Sequence, residues 1–153
     1  MITIETYTLE HKAACLSIFK SNMPKYFLLE EFNDFDKWLE KQALDGRYFV
    51  ALKDHQVVAC GGYFYDDERN KAGLSWGMVE AQLHGTGIGS QLTTFRIKKM
   101  KAEFPGHIYM IDTSQHTAPF YEKMGFVTKE VTPNGFGEGL DKYYMEISPN
   151  LPT

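Results

Sequence analysis

The amino-acid sequence predicts an α/β chain built around one mixed, mostly antiparallel β-sheet. Three strand-like runs follow one another between residues 48 and 79 with only short polar joints, which indicates antiparallel hairpins. A glycine-rich turn then leads from the last of these strands into an amphipathic helix, and another strand follows the helix. Such a helical crossover predicts that the strands on either side of it run parallel.

Composition limits the classes of protein that this chain can belong to. At 153 residues we expect a single domain over 1–153. The net charge of −4 argues against nucleic acid as the main ligand. No apolar run has the length of a membrane span, and the first residues resemble a strand rather than a signal peptide, so we expect a cytoplasmic protein. Cys15 and Cys60 suggest buried free thiols rather than a disulfide framework.

The chain begins with a predicted strand and helix. Ile2 and Ile4 alternate with polar neighbours, which is typical of a half-buried strand. Thr8 then precedes a helix, which ends before Pro24 because proline disfavours helical backbone in the residue before it. The apolar positions expected to form the buried face of this helix are Leu9, Ala13, Leu16 and Phe19.

A connector rich in aromatic and acidic side chains follows at residues 24–35. Asn33 or Asp34 is the predicted N-cap of a second helix, because either side chain can accept a hydrogen bond from the first helical amides. We expect that helix to end near Gly46, since glycine is common just past helix C-termini.

Three strands without intervening helices are predicted at 48–52, 57–64 and 74–79. Their short polar joints indicate a meander, and this argues against a nucleotide-binding fold that needs helical crossovers there. Gly61 and Gly62 lie inside the second of these strands, which suggests either a bulge or a close approach of the backbone.

The rest of the chain is predicted to alternate helices and strands. The helix after the glycine-rich turn is expected to run to about Glu103, where a proline and a glycine follow. We then expect a strand at 107–112, a short helix at 117–124, strands at 126–131 and 143–147, and a glycine-rich loop at 133–140 that could act as a mobile lid.

The glycine-rich turn itself predicts an anion site. Gly85, Gly87 and Gly89 alternate at the start of the helix, where unpaired amides and the helix dipole favour a phosphate group. A P-loop is excluded because the turn lacks the required lysine. The dinucleotide fingerprint is Gly-x-Gly-x-x-Gly, and the spacing here, Gly-x-Gly-x-Gly, is one residue shorter. Asp112, at the end of the next predicted strand, could still supply the acid that a dinucleotide site requires. A turn that binds nothing is a further alternative.

Two motifs resemble the Gcn5-related N-acetyltransferase family. The run from His84 to Gly89 is similar to its pyrophosphate loop, Gln/Arg-x-x-Gly-x-Gly/Ala, except that His84 stands at the first place. The run from Phe120 to Phe126 is similar to its Phe/Leu-Tyr-x-x-x-Gly-Phe signature without a gap. Ser114 and Thr117 depart from the family at two earlier positions. The order of elements also matches over nearly the whole chain.

This resemblance implies an acyl-CoA N-acyltransferase fold, with helices on both faces of the sheet, and acetyl-CoA as the cosubstrate. It implies that Met78 and Val79 contact the pantetheine arm and the thioester carbonyl, that Ser114 lies beside the cofactor, and that Tyr121 binds the thiol sulfur and protonates the departing thiolate. The residues expected to hold the pyrophosphate, mainly through backbone amides, are His84, Gly85, Thr86, Gly87, Ile88, Gly89 and Ser90.

The base that deprotonates the attacking amine stays open. Glu80 follows the predicted strand directly, and His116 follows the end of a later strand and titrates near neutrality. Water could also accept the proton. Cys60 as an acetyl-carrying nucleophile is disfavoured, because it lies in mid-strand and no base is evident beside it. The histidines show no metal-ligand spacing, so we expect no metal.

The acceptor is expected to be a small-molecule or peptide amine, with no role for nucleic acid or membranes. In the family, the connector after the first helix and the late loop build the acceptor pocket, which here implies 26–35 and 133–140. A homodimer is common in the family, but the sequence does not decide it. Two other functions are alternatives: an acetyl-CoA-binding sensor without turnover, and a nucleotide-binding oxidoreductase.

Overall fold

The computed structural model describes residues 1–148, and residues 149–153 at the end of the predicted domain lie outside that range. Short 3₁₀ turns occur at Leu9–His11, Gln42–Asp45 and Ala81–Leu83. The remaining elements are β1 (Ile2–Thr6), α1 (Lys12–Ser21), α2 (Leu29–Glu40), β2 (Tyr48–Lys53), β3 (Gln56–Asp66), β4 (Lys71–Val79), α3 (Ile88–Glu103), β5 (Ile108–Thr113), α4 (Ala118–Lys123), β6 (Val127–Gly137) and β7 (Leu140–Ile147).

Seven strands of the described chain form a mixed sheet in the order β1-β2-β3-β4-β5-β7-β6. The pairs β1–β2, β2–β3, β5–β7 and β6–β7 are antiparallel. Strands β4 and β5, which the α3 crossover connects, pair in parallel over Lys71–Gly73 and Ile108–Met110. The predicted mixed, mostly antiparallel sheet is therefore confirmed, as is the parallel pair that the crossover required.

By its internal contacts the chain divides into two compact units. Unit 1 comprises Met1–Gly62 and Trp76–Arg96, and unit 2 comprises Tyr63–Ser75 and the described residues from 97 to 148. Each unit buries apolar side chains of its own. The glycine-rich turn belongs to unit 1, whereas α4 and the last hairpin belong to unit 2.

The core of unit 1 is aromatic. Phe35 stacks on Phe19 with ring centroids 5.4 Å apart and packs against Trp76 at 4.9 Å. Tyr48 meets Trp38 edge to face at 4.7 Å. Such pairs add to the stabilisation that comes from burying their surface. These rings pack α1 and α2 against β2 and β4, which fixes the position of the strand that leads into the glycine-rich turn.

Helix α1 buries only part of the predicted face. Of the four predicted apolar positions, Phe19 is buried and Leu16 packs against the core of unit 1. Leu9 is 50% exposed and Ala13 is also exposed, whereas Cys15, Ile18 and Phe19 are buried. The chain starts this segment as a 3₁₀ turn, which has 3.0 residues per turn, so Leu9 falls out of phase with the following α-helix. Both cysteines are free and buried, as the sequence predicted.

Helix α2 starts earlier than predicted, so Asn33 or Asp34 as its N-cap is wrong. The N-cap is Leu28, whose amide donates to a carboxylate oxygen of Glu31 at 3.1 Å. The amide of Glu31 donates in turn to the Leu28 carbonyl at 3.0 Å. A glutamate at the third helical position therefore satisfies the amide of the N-cap residue Leu28, and Asn33 and Asp34 lie inside the helix.

Gly62 allows a close approach of the backbone, one of the two predicted alternatives, whereas Gly61 gives room to a side chain. A Cβ atom on Gly62 would lie 2.1 Å from the carbonyl oxygen of Arg47, and one on Gly61 would lie 3.1 Å from the guanidinium of Arg96. The guanidinium is only 2% exposed and donates to the Gly62 carbonyl at 3.2 Å. The irregularity of the β2–β3 pairing lies elsewhere, between Ala51 and Leu52.

The loop predicted at 133–140 is wrong, because β6 continues to Gly137 and β7 begins at Leu140. Side chains hold this end of the hairpin: the amide of Asn134 donates to Asp141 at 2.8 Å, and the amide of Gly139 donates to the Asn134 side-chain oxygen at 2.7 Å. The segment interpreted as a glycine-rich lid is thus mainly the tip of a β-hairpin with a register shift between Thr132 and Gly137.

We expect Gly62→Ala to lower the free energy of unfolding by about 3 kcal/mol, because its methyl group would meet rigid backbone. Gly61→Ala is the matched control: its methyl group would meet only the end of the Arg96 side chain, so the loss should stay under about 1 kcal/mol. Urea denaturation of both variants measures the difference, and equal losses would contradict the proposed packing.

Glu31 gives a pH-dependent prediction. Burial is the main cause that raises the pKa of its carboxyl, and the neighbouring charges of Asp34 and Glu30 add to it against the hydrogen bond from Leu28. A carboxyl whose pKa is raised by folding stabilises the fold when protonated, and this contribution is lost as pH rises through the folded pKa. Glu31→Gln keeps an acceptor for Leu28 without the charge, so it should be more stable than the parent at pH 7.

That advantage should shrink as pH falls below the folded pKa, and denaturation curves between pH 7 and pH 4 measure it. Glu30→Gln is the control, since Glu30 is exposed in the first turn of α2 and its charge there is favourable. Glu30→Gln should bring no gain at pH 7. A constant difference between Glu31→Gln and the parent at every pH would exclude the assigned shift.

Candidate active site

The turn between β4 and α3 has the backbone that a phosphate-binding loop requires. Gly85 and Gly87 have φ angles of +81° and +90°, a region that side-chain-bearing residues rarely adopt. A Cβ atom at either position would meet no atom within 4 Å, so backbone conformation rather than crowding requires glycine there. Both glycines are exposed, as are Thr86 and Ser90. The turn therefore presents its main chain to solvent.

Several amides of this turn have no main-chain acceptor among residues 1–148. The amides of His84 and Thr86 donate to Ala81 and Leu83, and the Thr86 hydroxyl also donates to the Leu83 carbonyl at 2.6 Å. Within residues 1–148, no main-chain carbonyl accepts from the amides of Gly85, Gly87, Ile88, Gly89 and Ser90. The start of α3 adds partial positive charge to these groups, so they form a geometry suited to an anion.

Strand β4 is irregular just before this turn. Trp76 has a φ angle of +40°, which is uncommon and strained for a bulky residue. The hydroxyl of Tyr48 donates to the Trp76 carbonyl at 2.8 Å and holds this conformation. Burial is the main cause that raises the pKa of Tyr48, so the phenol stays protonated and remains a donor. Met78, two residues later, is buried in the core of unit 1.

Side chains that precede and follow β4 in the sequence form hydrogen bonds with the main chain at its end. The carbonyl of Val79 accepts from Nδ2 of Asn22 at 2.9 Å and lies 3.0 Å from Nε2 of His84. The amide of Ala81 donates to Oγ of Ser21 at 3.0 Å. Asn22 and Ser21 are not among the predicted site residues, because the run before Pro24 predicts only the end of the first helix. Nothing in the local pattern indicates a partner in β4.

Glu80, one candidate base, is occupied by a local bond. Its carboxylate accepts from the amide of Gln82 at 2.8 Å and caps the 3₁₀ turn at Ala81–Leu83. Its own amide donates to the Val58 carbonyl at 2.9 Å. One carboxylate oxygen therefore stabilises the turn in this structure, and the side chain is only half-buried.

The other predicted residues lie in unit 2, around the start of α4. Oγ of Ser114 accepts from the amide of His116 at 3.3 Å, and the Ser114 carbonyl accepts from the amides of Thr117 and Ala118. Ser114, where the family has asparagine, thus closes the turn that starts α4. The His116 side chain is exposed.

Tyr121 lies on α4 and is 6% exposed. Its ring packs edge to face against Phe120 at 5.0 Å and Phe126 at 5.8 Å. Its carbonyl accepts from the amide of Phe126 at 3.0 Å, which connects the end of α4 to the residue before β6. The aromatic signature is therefore a local packing unit that fixes the direction of the tyrosine ring.

Two further observations concern the described residues as a whole. No group of three or more histidine, cysteine, aspartate or glutamate side chains in 1–148 is placed to hold a metal ion. Among the helices described, none is both long and apolar enough to cross a bilayer.

A family comparison agrees with the two motifs and the fold. Residues 12–126 match the model of the acetyltransferase (GNAT) family, which is most of the chain. The chain therefore belongs to the GNAT acetyltransferase family. A comparison with curated proteins found no match.

Solved structures share the fold at low sequence identity. An N-acetyltransferase from Staphylococcus aureus Mu50 has a TM-score of 0.78 at 19% identity, over 98% of this chain and 99% of that one. Ribosomal-protein-alanine N-acetyltransferase from Brucella melitensis has a TM-score of 0.76 at 22% identity, over 95% and 99%. The yncA protein of Salmonella typhimurium, solved with its cofactor acetyl-CoA, has a TM-score of 0.75 at 18% identity, over 100% and 96%.

Proposed function

We propose that this protein transfers an acetyl group from acetyl-CoA to a primary amine by direct attack of the amine on the thioester. The observation that carries the proposal is the turn at the start of α3, where the amides of Gly85, Gly87, Ile88, Gly89 and Ser90 have no main-chain acceptor among residues 1–148. Family membership and a structural neighbour solved with acetyl-CoA support the same cosubstrate.

In this proposal the turn holds the pyrophosphate of acetyl-CoA through main-chain amides, without a lysine or a metal. Main-chain groups of Met78 and Val79 contact the pantetheine arm and the thioester carbonyl, and Ser114 contributes to the cofactor site. An amide that donates to the developing oxyanion lowers the barrier substantially, since removal of one such donor elsewhere reduces turnover by roughly 10²–10³-fold.

Proton transfer needs an acid and a base. We assign Tyr121 as the acid that protonates the departing thiolate, because its phenol is retained on the family signature and its ring is fixed by two phenylalanines. Glu80, His116 or a water molecule would take the proton from the amine. Glu80 would take the proton on its other carboxylate oxygen, since the bond from Gln82 occupies Oε2.

The acceptor is proposed to be a small-molecule or peptide amine in the cytoplasm. One structural neighbour, the NatC complex, was solved with Gag peptide and CoA, which supports a peptide amine as one acceptor class. The acidic run of α2, including Glu30 and Glu31, is compatible with attraction of an ammonium group. The protein is also proposed to form a homodimer, as is common in the family.

Acetyl-CoA and CoA should raise the melting temperature, whereas NAD and ATP should not. A ligand that binds only the native state at 100 times its Kd stabilises it by about 2.7 kcal/mol. Differential scanning fluorimetry measures the shift. Stabilisation by NAD instead of acetyl-CoA would indicate the oxidoreductase alternative.

Tyr121→Phe should reduce kcat by roughly 100-fold or more, with little change in acetyl-CoA affinity, because only the acid is removed. Thiol release with a panel of amines measures turnover. Tyr65→Phe is the control, since that hydroxyl bonds Asn70 and has no role in the proposal. Unchanged turnover of Tyr121→Phe would exclude the acid role, and binding without thiol release in the parent would support the sensor alternative.

A further inference from the structure

The carbonyl of Val79, at the end of β4, is contacted by two side chains from opposite directions along the chain. Nδ2 of Asn22, just past the end of α1, lies 2.9 Å from the carbonyl oxygen. Nε2 of His84, on the glycine-rich turn, lies 3.0 Å from the same atom. Asn22 is 4% exposed, whereas His84 is exposed to solvent.

A carbonyl oxygen can only accept, so both side chains act as donors here. Nε2 of His84 therefore carries a hydrogen, in the neutral ring as in the charged one. Asn22 directs its amide group both to Val79 and to the carbonyl of Ile18, the latter at 2.8 Å, so it joins the last turn of α1 to β4.

The neighbouring peptide groups are held as well. A peptide group is planar, so the Val79 carbonyl and the Glu80 amide turn together. The Glu80 amide donates to Val58 at 2.9 Å, which fixes the same peptide from its other side. The next amide, of Ala81, donates to Ser21 at 3.0 Å. Hydrogen bonds thus fix two successive peptide groups where β4 ends.

The His84 ring has a second contact that limits its orientation. It packs edge to face against Tyr26, with ring centroids 5.1 Å apart. The side chain that stands at the first place of the pyrophosphate motif therefore turns back onto the strand, rather than serving the turn through its amide alone. It ties the start of the glycine-rich turn to the residue where β4 ends.

We propose that Asn22 and His84 are positioning residues for acetyl transfer: together they hold the main chain of Val79 in place for the thioester half of acetyl-CoA. This inference rests on the proposed function. The inference divides the site into two parts. Amides further along the turn hold the pyrophosphate, whereas Asn22 and His84 act on the end of β4.

The test compares two ligands that share the pyrophosphate. Acetyl-CoA carries the pantetheine arm and thioester, and 3′-phosphoadenosine 5′-diphosphate lacks both. His84→Leu removes the donor at an exposed position and should weaken acetyl-CoA binding roughly three- to tenfold, the range expected for one lost hydrogen bond. Binding of the diphosphate should stay within about twofold of the parent, as measured by isothermal titration calorimetry.

Two variants serve as comparisons. His84→Gln can still offer an N–H group to Val79 and should recover most of the affinity that His84→Leu loses. Gln82→Ala changes an exposed side chain in the preceding 3₁₀ turn but keeps the amide that bonds Glu80, so both ligands should bind as in the parent. Together these variants distinguish the loss of the N–H donor to Val79 from other effects of a substitution in this turn.

Asn22→Ala should show the same pattern with a loss of thermal stability, since it also loses the bond to Ile18. Measured well below its melting temperature, its loss of affinity should again be confined to acetyl-CoA. This ligand dependence is the readout that a purely structural role of Asn22 would not produce.

The outcomes also separate this inference from the proposed function. If the parent binds no acetyl-CoA, the proposed function fails. If the parent binds it but His84→Leu weakens both ligands equally, the ring acts on the phosphates and the positioning role is wrong. If His84→Leu changes the affinity for neither ligand, the contact of His84 with Val79 has no effect on binding and the inference is overturned.

Discussion

The hydrogen bonding of main-chain groups at the end of β4 is the constraint on which the rest of unit 1 depends. Where a strand ends, its last peptides lose their strand partners, and buried or half-buried polar groups must find others. Here Val79 and Ala81 bond to Asn22 and Ser21 at the end of α1. The first helix is therefore joined to the start of the glycine-rich turn by hydrogen bonds as well as by apolar packing.

A buried cation on α3 imposes a second constraint. The guanidinium of Arg96 donates to the Gly62 carbonyl and to the hydroxyl of Thr93, each at 3.2 Å. A Cβ atom on Gly77 would lie 2.6 Å from it, and one on Gly61 would lie 3.1 Å from it. Glycines on β3 and β4 thus make room for the arginine, and its bonds lower the cost of burying the charge. This packing places α3 against the strands and so orients the amides at its start.

The sequence predicted much of this architecture because the relevant signals are local. A first strand containing Ile2 and Ile4 follows from alternation, and the end of α3 near Glu103 follows from breaker residues; the structure has both. The glycine-rich turn was recognised from spacing alone. Two predictions failed for different reasons. The predicted face of α1 is only partly buried because the segment begins as a 3₁₀ turn, which puts Leu9 out of phase. The tip at 133–140 is mainly strand, held by the bond from the Asn134 amide to Asp141 and by Gln115, which donates to the Gly139 carbonyl from outside the hairpin.

The sequence alone determined the family, the order of the elements and the residues of the turn, because each is a pattern of neighbours along the chain. Only the tertiary structure decided that Asn22 meets Val79, 57 residues later, and that the His84 ring points back onto the same carbonyl. It also showed that Arg96 is the group to which Gly61 and Gly77 give room. These contacts join residues that share no local pattern, and their partners become adjacent only when helix, strand and turn pack together.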